Sequence, residues 1–131
     1  MAVRTDFAAG EVLAAQDLDD TFASKLNVAI AINAQTGTTY TLVLADQGKL
    51  VTAANASAIT ITVPPNASVA YPVGTQIGVM QTGAGQVTLA AGAGVTLNSY
   101  NSAKKIVGNG GMAVCIKTAT NTWQLSGALV V

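Results

Sequence analysis

The chain contains no histidine, a single cysteine, Cys115, and few charged side chains. Without histidine it lacks the usual general base, the imidazole metal ligand and the central member of a Ser-His-Asp triad. A lone cysteine without histidine forms neither a zinc site nor a Cys-His catalytic pair, and it excludes an intrachain disulfide. The sequence therefore predicts a protein that is not an enzyme and that uses no metal or cofactor.

Other sources of chemistry are also missing. The Gly-rich segments 83–85 and 92–94 lack the Gly-Lys-Ser/Thr ending of a phosphate loop, so we interpret them as tight hairpin turns. The carboxylates fall in a predicted arm, helix and hairpin turn, which does not suit the paired acids of a glycosidase. No apolar run approaches the roughly 18 residues of a membrane span, and no apolar segment of a signal peptide follows Arg4 and Asp6. We therefore expect no membrane partner and synthesis in a reducing cytoplasm.

Charged residues make up 9% of the 131-residue chain, against roughly 25% in ordinary soluble domains. A protein that diffuses freely as a monomer seldom has so few charged side chains on its surface. Either uncharged polar side chains keep it soluble, or neighbouring molecules cover much of its surface. We favour the second explanation.

The few charges are also unevenly distributed along the chain. Residues 1–46 hold two basic and six acidic side chains, a formal charge of −4, whereas residues 47–131 hold four lysines and no acidic side chain. An acidic front and a basic body attract each other between copies, over about 8–10 Å in salt. Four dispersed lysines do not form the clustered basic patch of a nucleic-acid-binding face.

The first third of the chain predicts an extended arm followed by one short α-helix. Residues 1–12 form the arm, with Phe7 as its one large apolar side chain, and the helix runs from residue 14 or 15 to about Asn33. Its apolar residues recur four apart on one face: Leu18, Phe22, Leu26 and Ile30. β-Branched residues such as Ile32 leave open a strand in its far half. The helix either packs on its own sheet or pairs with another subunit, and we favour pairing.

The rest of the chain predicts a β-domain. Ile59, Ile61 and Val63 alternate with Thr60 and Thr62, the period of a half-buried strand. Strand signals recur at the short spacing of an antiparallel sandwich or jelly-roll-like fold. They suggest three hairpins: 39–44 with 49–53, 87–89 with 95–97, and 112–117 with 122–126. Because no period of 20 to 50 residues recurs, we do not expect a solenoid. The predicted organisation is residues 1–35 as arm and helix and residues 36–131 as β-domain.

Three binding hypotheses remain for such a chain. Thr38–Thr41 and Thr60–Thr62 resemble the Thr-X-Thr ladders of ice-binding surfaces, but those need stacked repeats that we do not find here. Four aromatic residues suggest a sugar-stacking platform, although they more often pack at a sheet edge or an interface: Tyr40, Tyr71, Tyr100 and Trp123. Self-association and docking on a larger assembly best fits the low charge and acidic front.

Several segments together resemble a domain found in virion proteins of tailed bacteriophages. They are the runs YTLVLADQGKLV (40–51), NASAITITVPPN (55–66), PVGTQI (72–77), GAGQVT (83–88) and NTWQLSG (121–127). The resemblance covers about residues 40–130. It implies a trimer-forming β-domain of tail fibres or of short head-decoration proteins. Residues 7–18 are similar to attachment segments at the start of such proteins, although Ala14 stands where we expect Thr.

The resemblance and the low charge together lead to a functional expectation. We expect a homotrimeric capsid decoration protein, made in the host cytoplasm and located on the virion, which docks on the major capsid protein or another virion protein. A long-stalked tail fibre needs more chain than this, but a tail-fibre or baseplate tip that binds a host receptor or glycan is the alternative. The candidate partner-binding residues are Phe7, Glu11, Val12, Leu13 and Leu18. The candidate oligomerisation residues are Phe22, Leu26 and Ile30.

Overall fold

The computed structural model describes residues 29–131, which form two β-sheets around a shared core. The strands are β1 (Ile32–Gln35), β2 (Thr39–Thr41), β3 (Leu50–Ala53), β4 (Ile59–Val63), β5 (Gln76–Gln81), β6 (Val87–Ala91), β7 (Thr96–Asn98), β8 (Lys105–Ile106), β9 (Met112–Ala119), β10 (Thr122–Gly127) and β11 (Leu129–Val130). Two single-turn 3-10 helices, Leu44–Asp46 and Tyr100–Ser102, lie in the connections. The mainly β character is as predicted.

The first six strands alternate between the two sheets. The six-stranded sheet has the order β1-β3-β5-β9-β10-β7, and the five-stranded sheet has the order β11-β8-β6-β4-β2. Neighbours among the first six strands pair in parallel, with Ile32 beside Leu50 and Leu50 beside Gly78. The chain therefore winds through three stacked two-strand coils, which makes the prediction of an antiparallel sandwich wrong for this half of the fold.

The coils differ in length, so the sequence shows no regular period for this winding. In the six-stranded sheet, paired positions lie 18 residues apart from Ile32 to Leu50 but 28 apart from Leu50 to Gly78. The longer interval contains the connection 64–75 between β4 and β5. Because the intervals are unequal, no constant period marks the coils in the sequence, and the parallel winding of β1 to β6 was not predicted.

Two of the three predicted hairpins are also wrong. Strands β2 and β3 lie in different sheets, as do β6 and β7, so the turns between them are crossings from one sheet to the other. The closing hairpin is confirmed, because β9 and β10 pair antiparallel. Strand β9 also runs antiparallel to β5, and β8 runs antiparallel to both β6 and β11. Both sheets are therefore mixed.

The corner that connects the coils depends on glycine. Gly85, predicted to lie in a hairpin turn, instead stacks on the preceding coil, where its amide donates to the carbonyl of Asn55 at 2.7 Å. A Cβ on Gly85 would lie only 1.8 Å from the carbonyl oxygen of Ser57. The Asn55 side chain in turn donates to the carbonyl of Thr36 at 2.7 Å. One corner thus joins all three coils by hydrogen bonds.

The predicted helix does not extend to Asn33, because Ile32–Gln35 is strand β1 and pairs with β3. Pairing with β3 satisfies its backbone groups, and β-branched residues suit a strand better than a helix end. The sequence had left this alternative open. The predicted arm and the remainder of the helix lie outside the described residues.

The core lies between the inward faces of the two sheets. Ile59, Ile61 and Val63 are fully buried, which confirms the alternation seen in the sequence. Tyr71 and Trp123 pack edge to face in the same core, with ring centres 5.4 Å apart. Burial of one such large apolar side chain contributes about 1.5–3 kcal/mol.

Candidate interaction surface

The outward face of the six-stranded sheet is largely apolar across β1, β3, β5 and β9, with Thr52, Gln76 and Thr118 as its polar positions, and it is polar on β10 and β7. Side chains alternate across each strand, so the positions paired with Ile32 across the sheet all point away from the core. We define the apolar face as Ile32, Ala34, Leu50, Gly78, Met80, Met112, Val114 and Ile116. The outward strand positions of this sheet, all within the described residues, carry no charged side chain. Ile32 is 61% exposed and Met112 is 45% exposed.

A shallow cavity of about 340 Å³ lies in this face. Its floor is Gly78, where a Cβ would lie 3.0 Å from the side chain of Leu50, so any larger residue would begin to fill the depression. Lys49 stands at its rim and is the only charged residue among its lining side chains. The lining residues are Ile30, Gly48, Lys49, Leu50, Gln76, Gly78, Met112 and Val114. The cavity is therefore lined mainly by apolar groups.

Ile30 is the one predicted site residue that the structure describes. It is 61% exposed and lines the cavity in the apolar face, beside Leu50 and Met112. The other predicted oligomerisation residues, Phe22 and Leu26, lie outside the described residues. So do all of the predicted partner-binding residues: Phe7, Glu11, Val12, Leu13 and Leu18. The structure therefore brings one candidate to the apolar face and leaves the rest as predictions.

Asp46 was predicted to lie in a hairpin turn, but it is fully buried. Its carboxylate accepts hydrogen bonds from Asn33 Nδ2 at 2.7 Å, from the Tyr40 hydroxyl at 2.7 Å and from the Val43 amide at 3.0 Å. Burial raises the pKa of Tyr40 to about 12, with further contributions from the hydrogen bond to Asp46 and from its charge. The carboxylate thus joins β1, β2 and the first 3-10 helix instead of facing solvent.

Lys117 is buried on the inward face of β9. Its ammonium group donates to Asn66 Oδ1 at 2.6 Å and to the Tyr71 carbonyl at 2.7 Å. The Tyr71 hydroxyl in turn donates to the Val43 carbonyl, next to the Asp46 site, and burial raises the pKa of Tyr71. These bonds fix the 64–75 connection over one end of the core.

The sequence analysis missed both buried charges. One signal was available for Lys117, which shares the inward parity of Ala113 and Cys115 on β9. With Asp46 and Lys117 buried, the charges left on the surface of the described residues are three lysines, Lys49, Lys104 and Lys105. The surface is therefore even poorer in charge than the composition indicates.

The outward face of the five-stranded sheet carries threonines in register. Thr39, Thr60 and Thr88 lie side by side on β2, β4 and β6, so the stacked repeats that the sequence analysis did not find are present. The stack is three strands wide, and Lys105 on β8 pairs with Thr88. This face is polar and wettable, in contrast to the apolar face.

The predicted aromatic platform does not exist as a group of four. Trp123 and Tyr71 are buried in the core, and the hydroxyl of Tyr40 bonds Asp46. Tyr100 alone is freely exposed. Cys115 is also fully buried, and burial raises the pKa of its thiol to about 12, so it is an unreactive core residue.

Residues 29–131 offer neither a metal-binding cluster nor a membrane-spanning helix. They contain no group of three or more Cys, Asp or Glu side chains placed to hold a metal ion. They also contain no helix that is long and apolar enough to cross a membrane.

Comparison of the chain with protein-family models, with curated proteins and with solved structures found no match.

Proposed function

We propose that this protein is a structural component of a tailed-phage virion, a homotrimeric decoration protein that docks on the major capsid protein and stabilises the shell. The observation that carries the proposal is the apolar face. Proteins that work as monomers rarely leave such a patch in water. Here the patch spans four neighbouring strands of one sheet, and three lysines are the side-chain charges on the surface of the described body.

Copies of the chain are the natural cover for the apolar face. Ile30, Ile32 and Met112 are large exposed apolar side chains there, and burial against a neighbour contributes about 25 cal/mol per Å² of apolar area. The depression at Gly78 receives an apolar side chain from the adjacent copy. The proposal also assigns Phe22 and Leu26, which precede Ile30 in the chain, to self-association.

In the proposal, the acidic N-terminal residues of the chain make the contact with the capsid protein. Residues 1–28 hold five acidic and two basic side chains, whereas the surface charges of the described body are lysines. In the proposal, Phe7, Val12, Leu13 and Leu18 supply apolar contacts to the capsid protein and Glu11 supplies a charged one. Each trimer then bridges neighbouring capsid subunits and raises the barrier to shell rupture.

Co-sedimentation with capsids that lack the protein tests both contacts. Deletion of residues 1–13 should abolish capsid binding and leave the trimer intact, because the apolar face is unchanged. The matched variant Ile32→Asp keeps residues 1–13 but should fail to form the trimer. Capsid binding that survives the deletion would refute the role of the arm.

The alternative, a tail-fibre or baseplate tip that binds a host glycan, is favoured by one observation, the exposed ring of Tyr100 beside a cavity. Copy number per virion separates the two functions. Hundreds of copies support the shell assignment, whereas a handful would place the protein on the tail.

A further inference from the structure

A second cavity, of about 460 Å³, opens at the edge of the molecule where β10 leads into β11. The turn Tyr100–Ser102 forms one of its walls, and β10 and β11 supply the others. The lining residues are Tyr100, Asn101, Ala103, Gln124, Leu125, Ser126, Gly127, Leu129, Val130 and Val131. Its volume falls within the range of about 300–1,000 Å³ that is typical of small-molecule sites.

The lining of this cavity contains no charged side chain. Its polar side chains are two amides, Asn101 and Gln124, with the hydroxyls of Ser126 and Tyr100. The Gln124 amide nitrogen donates to the Leu125 carbonyl at 3.2 Å, which leaves its oxygen and a second N–H for a ligand. A charged ligand would have no counter-charge here, so the cavity suits a neutral ligand with several hydrogen-bonding groups.

Tyr100 stands beside the cavity as an exposed aromatic ring. Its side chain is 84% exposed, so it contributes little to the core. The next two residues, Asn101 and Ser102, have φ angles of 54° and 58°, in the left-handed region. Asn adopts that conformation comparatively readily, whereas it costs Ser102 about 1–2 kcal/mol. Strain of this kind concentrates at functional sites.

We propose that this cavity binds a neutral oligosaccharide that carries acetamido groups. A sugar ring has an apolar C–H face, which stacks on Tyr100, and a hydroxyl edge, which pairs with the amides of Asn101 and Gln124. The methyl of an acetamido group packs against the apolar wall formed by Ala103, Leu129 and Val130. This inference goes beyond the decoration function, and it does not depend on the apolar face.

Saturation-transfer difference NMR on the full-length chain tests the site directly. The probe is N,N′-diacetylchitobiose, and cellobiose and glucuronic acid serve as comparisons that lack the acetamido group and carry a charge, respectively. We expect saturable binding of diacetylchitobiose at millimolar concentration, weaker binding of cellobiose and no binding of glucuronic acid.

Three variants assign the signal to the cavity. Tyr100→Ala should weaken binding about tenfold, the effect of losing one aromatic contact, whereas Tyr100→Phe should keep most of the affinity. Val107→Ala, at an exposed position outside the cavity lining, is the control and should bind as the parent does. Circular dichroism of Tyr100→Ala should match the parent because the ring is exposed.

The proposal is overturned if diacetylchitobiose does not bind at millimolar concentration, or if Tyr100→Ala binds it as well as the parent does. Tighter binding of glucuronic acid than of diacetylchitobiose would also overturn it. A change of mass in Tyr100→Ala without a change in sugar binding would show that the ring belongs to a protein interface.

Discussion

The two sheets both bury an apolar inner face, but they differ in the side chains that they present outward. The five-stranded sheet is ordinary, with Ile59, Ile61 and Val63 inward and a stack of threonines outward. The six-stranded sheet also has an apolar inner face, which Lys117 and Gln81 interrupt, and its outward face is largely apolar across β1, β3, β5 and β9. An isolated domain gains nothing from these outward apolar side chains, because water does not cover them favourably.

The difference assigns separate roles to the two outward faces. The threonine stack is wettable and needs no neighbour, whereas Ile32 and Met112 lie exposed on the apolar face. The inward polar groups of the six-stranded sheet fix long connections over the core, as Lys117 does for residues 64–75. We therefore expect mutations of one sheet to affect assembly or connections and equivalent mutations of the other to have small effects.

The largest expected effect comes from a charge placed on the apolar face. Ile32→Asp should weaken trimer association by at least about 100-fold, because an unpaired charge buried at an interface costs several kcal/mol. Thr39→Asp, at an exposed strand position of the opposite sheet, should leave association unchanged. Sedimentation velocity over a concentration series measures the association of both variants. Equal association of the two would contradict the proposed difference between the faces.

The next effect concerns the buried carboxylate. Asp46→Ala should lower the free energy of unfolding by about 3–4 kcal/mol, because Asn33, Tyr40 and the Val43 amide lose a shared acceptor. Asp46→Asn keeps one acceptor oxygen and should cost less. Urea denaturation followed by tryptophan fluorescence gives both values, and a loss below about 1 kcal/mol for Asp46→Ala would contradict this role.

A somewhat smaller effect is expected at the buried lysine. Lys117→Ala should cost about 2–3 kcal/mol, since Asn66 and the Tyr71 carbonyl lose their donor and a cavity forms. Lys105→Ala, at an exposed lysine of the opposite sheet, should change stability by less than about 0.5 kcal/mol. The same urea titrations compare them, and equal costs would mean that Lys117 does not support the 64–75 connection.

The smallest expected effect is a loss of stability in alkali. Burial raises the pKa of Cys115 from 9.0 to about 12, so the unfolded chain releases this proton at lower pH than the folded chain does. Its stabilising contribution is therefore complete below about pH 9 and is lost as pH rises from 9 towards 12. Denaturation midpoints at several pH values measure it. Cys115→Ala should reduce the slope between pH 9 and 10, and an unchanged slope would contradict the assignment.

Local patterns predicted the strands well and their partners poorly. The alternation of Ile59, Ile61 and Val63 gave a correct strand with the correct face inward, and the closing hairpin of β9 and β10 was also found. Parallel pairing was not predictable from local signals, because it joins residues 18 to 28 apart at unequal intervals. A short turn between two strands is typical of a hairpin, but the same kind of turn also connects strands that lie in different sheets.

The sequence indicated a surface with few charges but did not show which residues form the apolar face. The low charge led us to expect that neighbours cover the protein, which stays a prediction, and Ile30, chosen as a contact residue, lines the cavity in the apolar face. The sequence could not reveal that Leu50, Gly78 and Val114 share this face, because they meet only through the sheet register. Asp46 was missed because an Asp before Gln-Gly is also typical of an exposed turn.

Sedimentation equilibrium of the unmodified full-length chain at micromolar concentration tests the central claim most directly. If copies of the chain cover the apolar face, the measured mass will be three times the 13.1 kDa of one chain. A mass of 13.1 kDa that persists as concentration rises would contradict the account, because Ile32 and Met112 would then face no second copy.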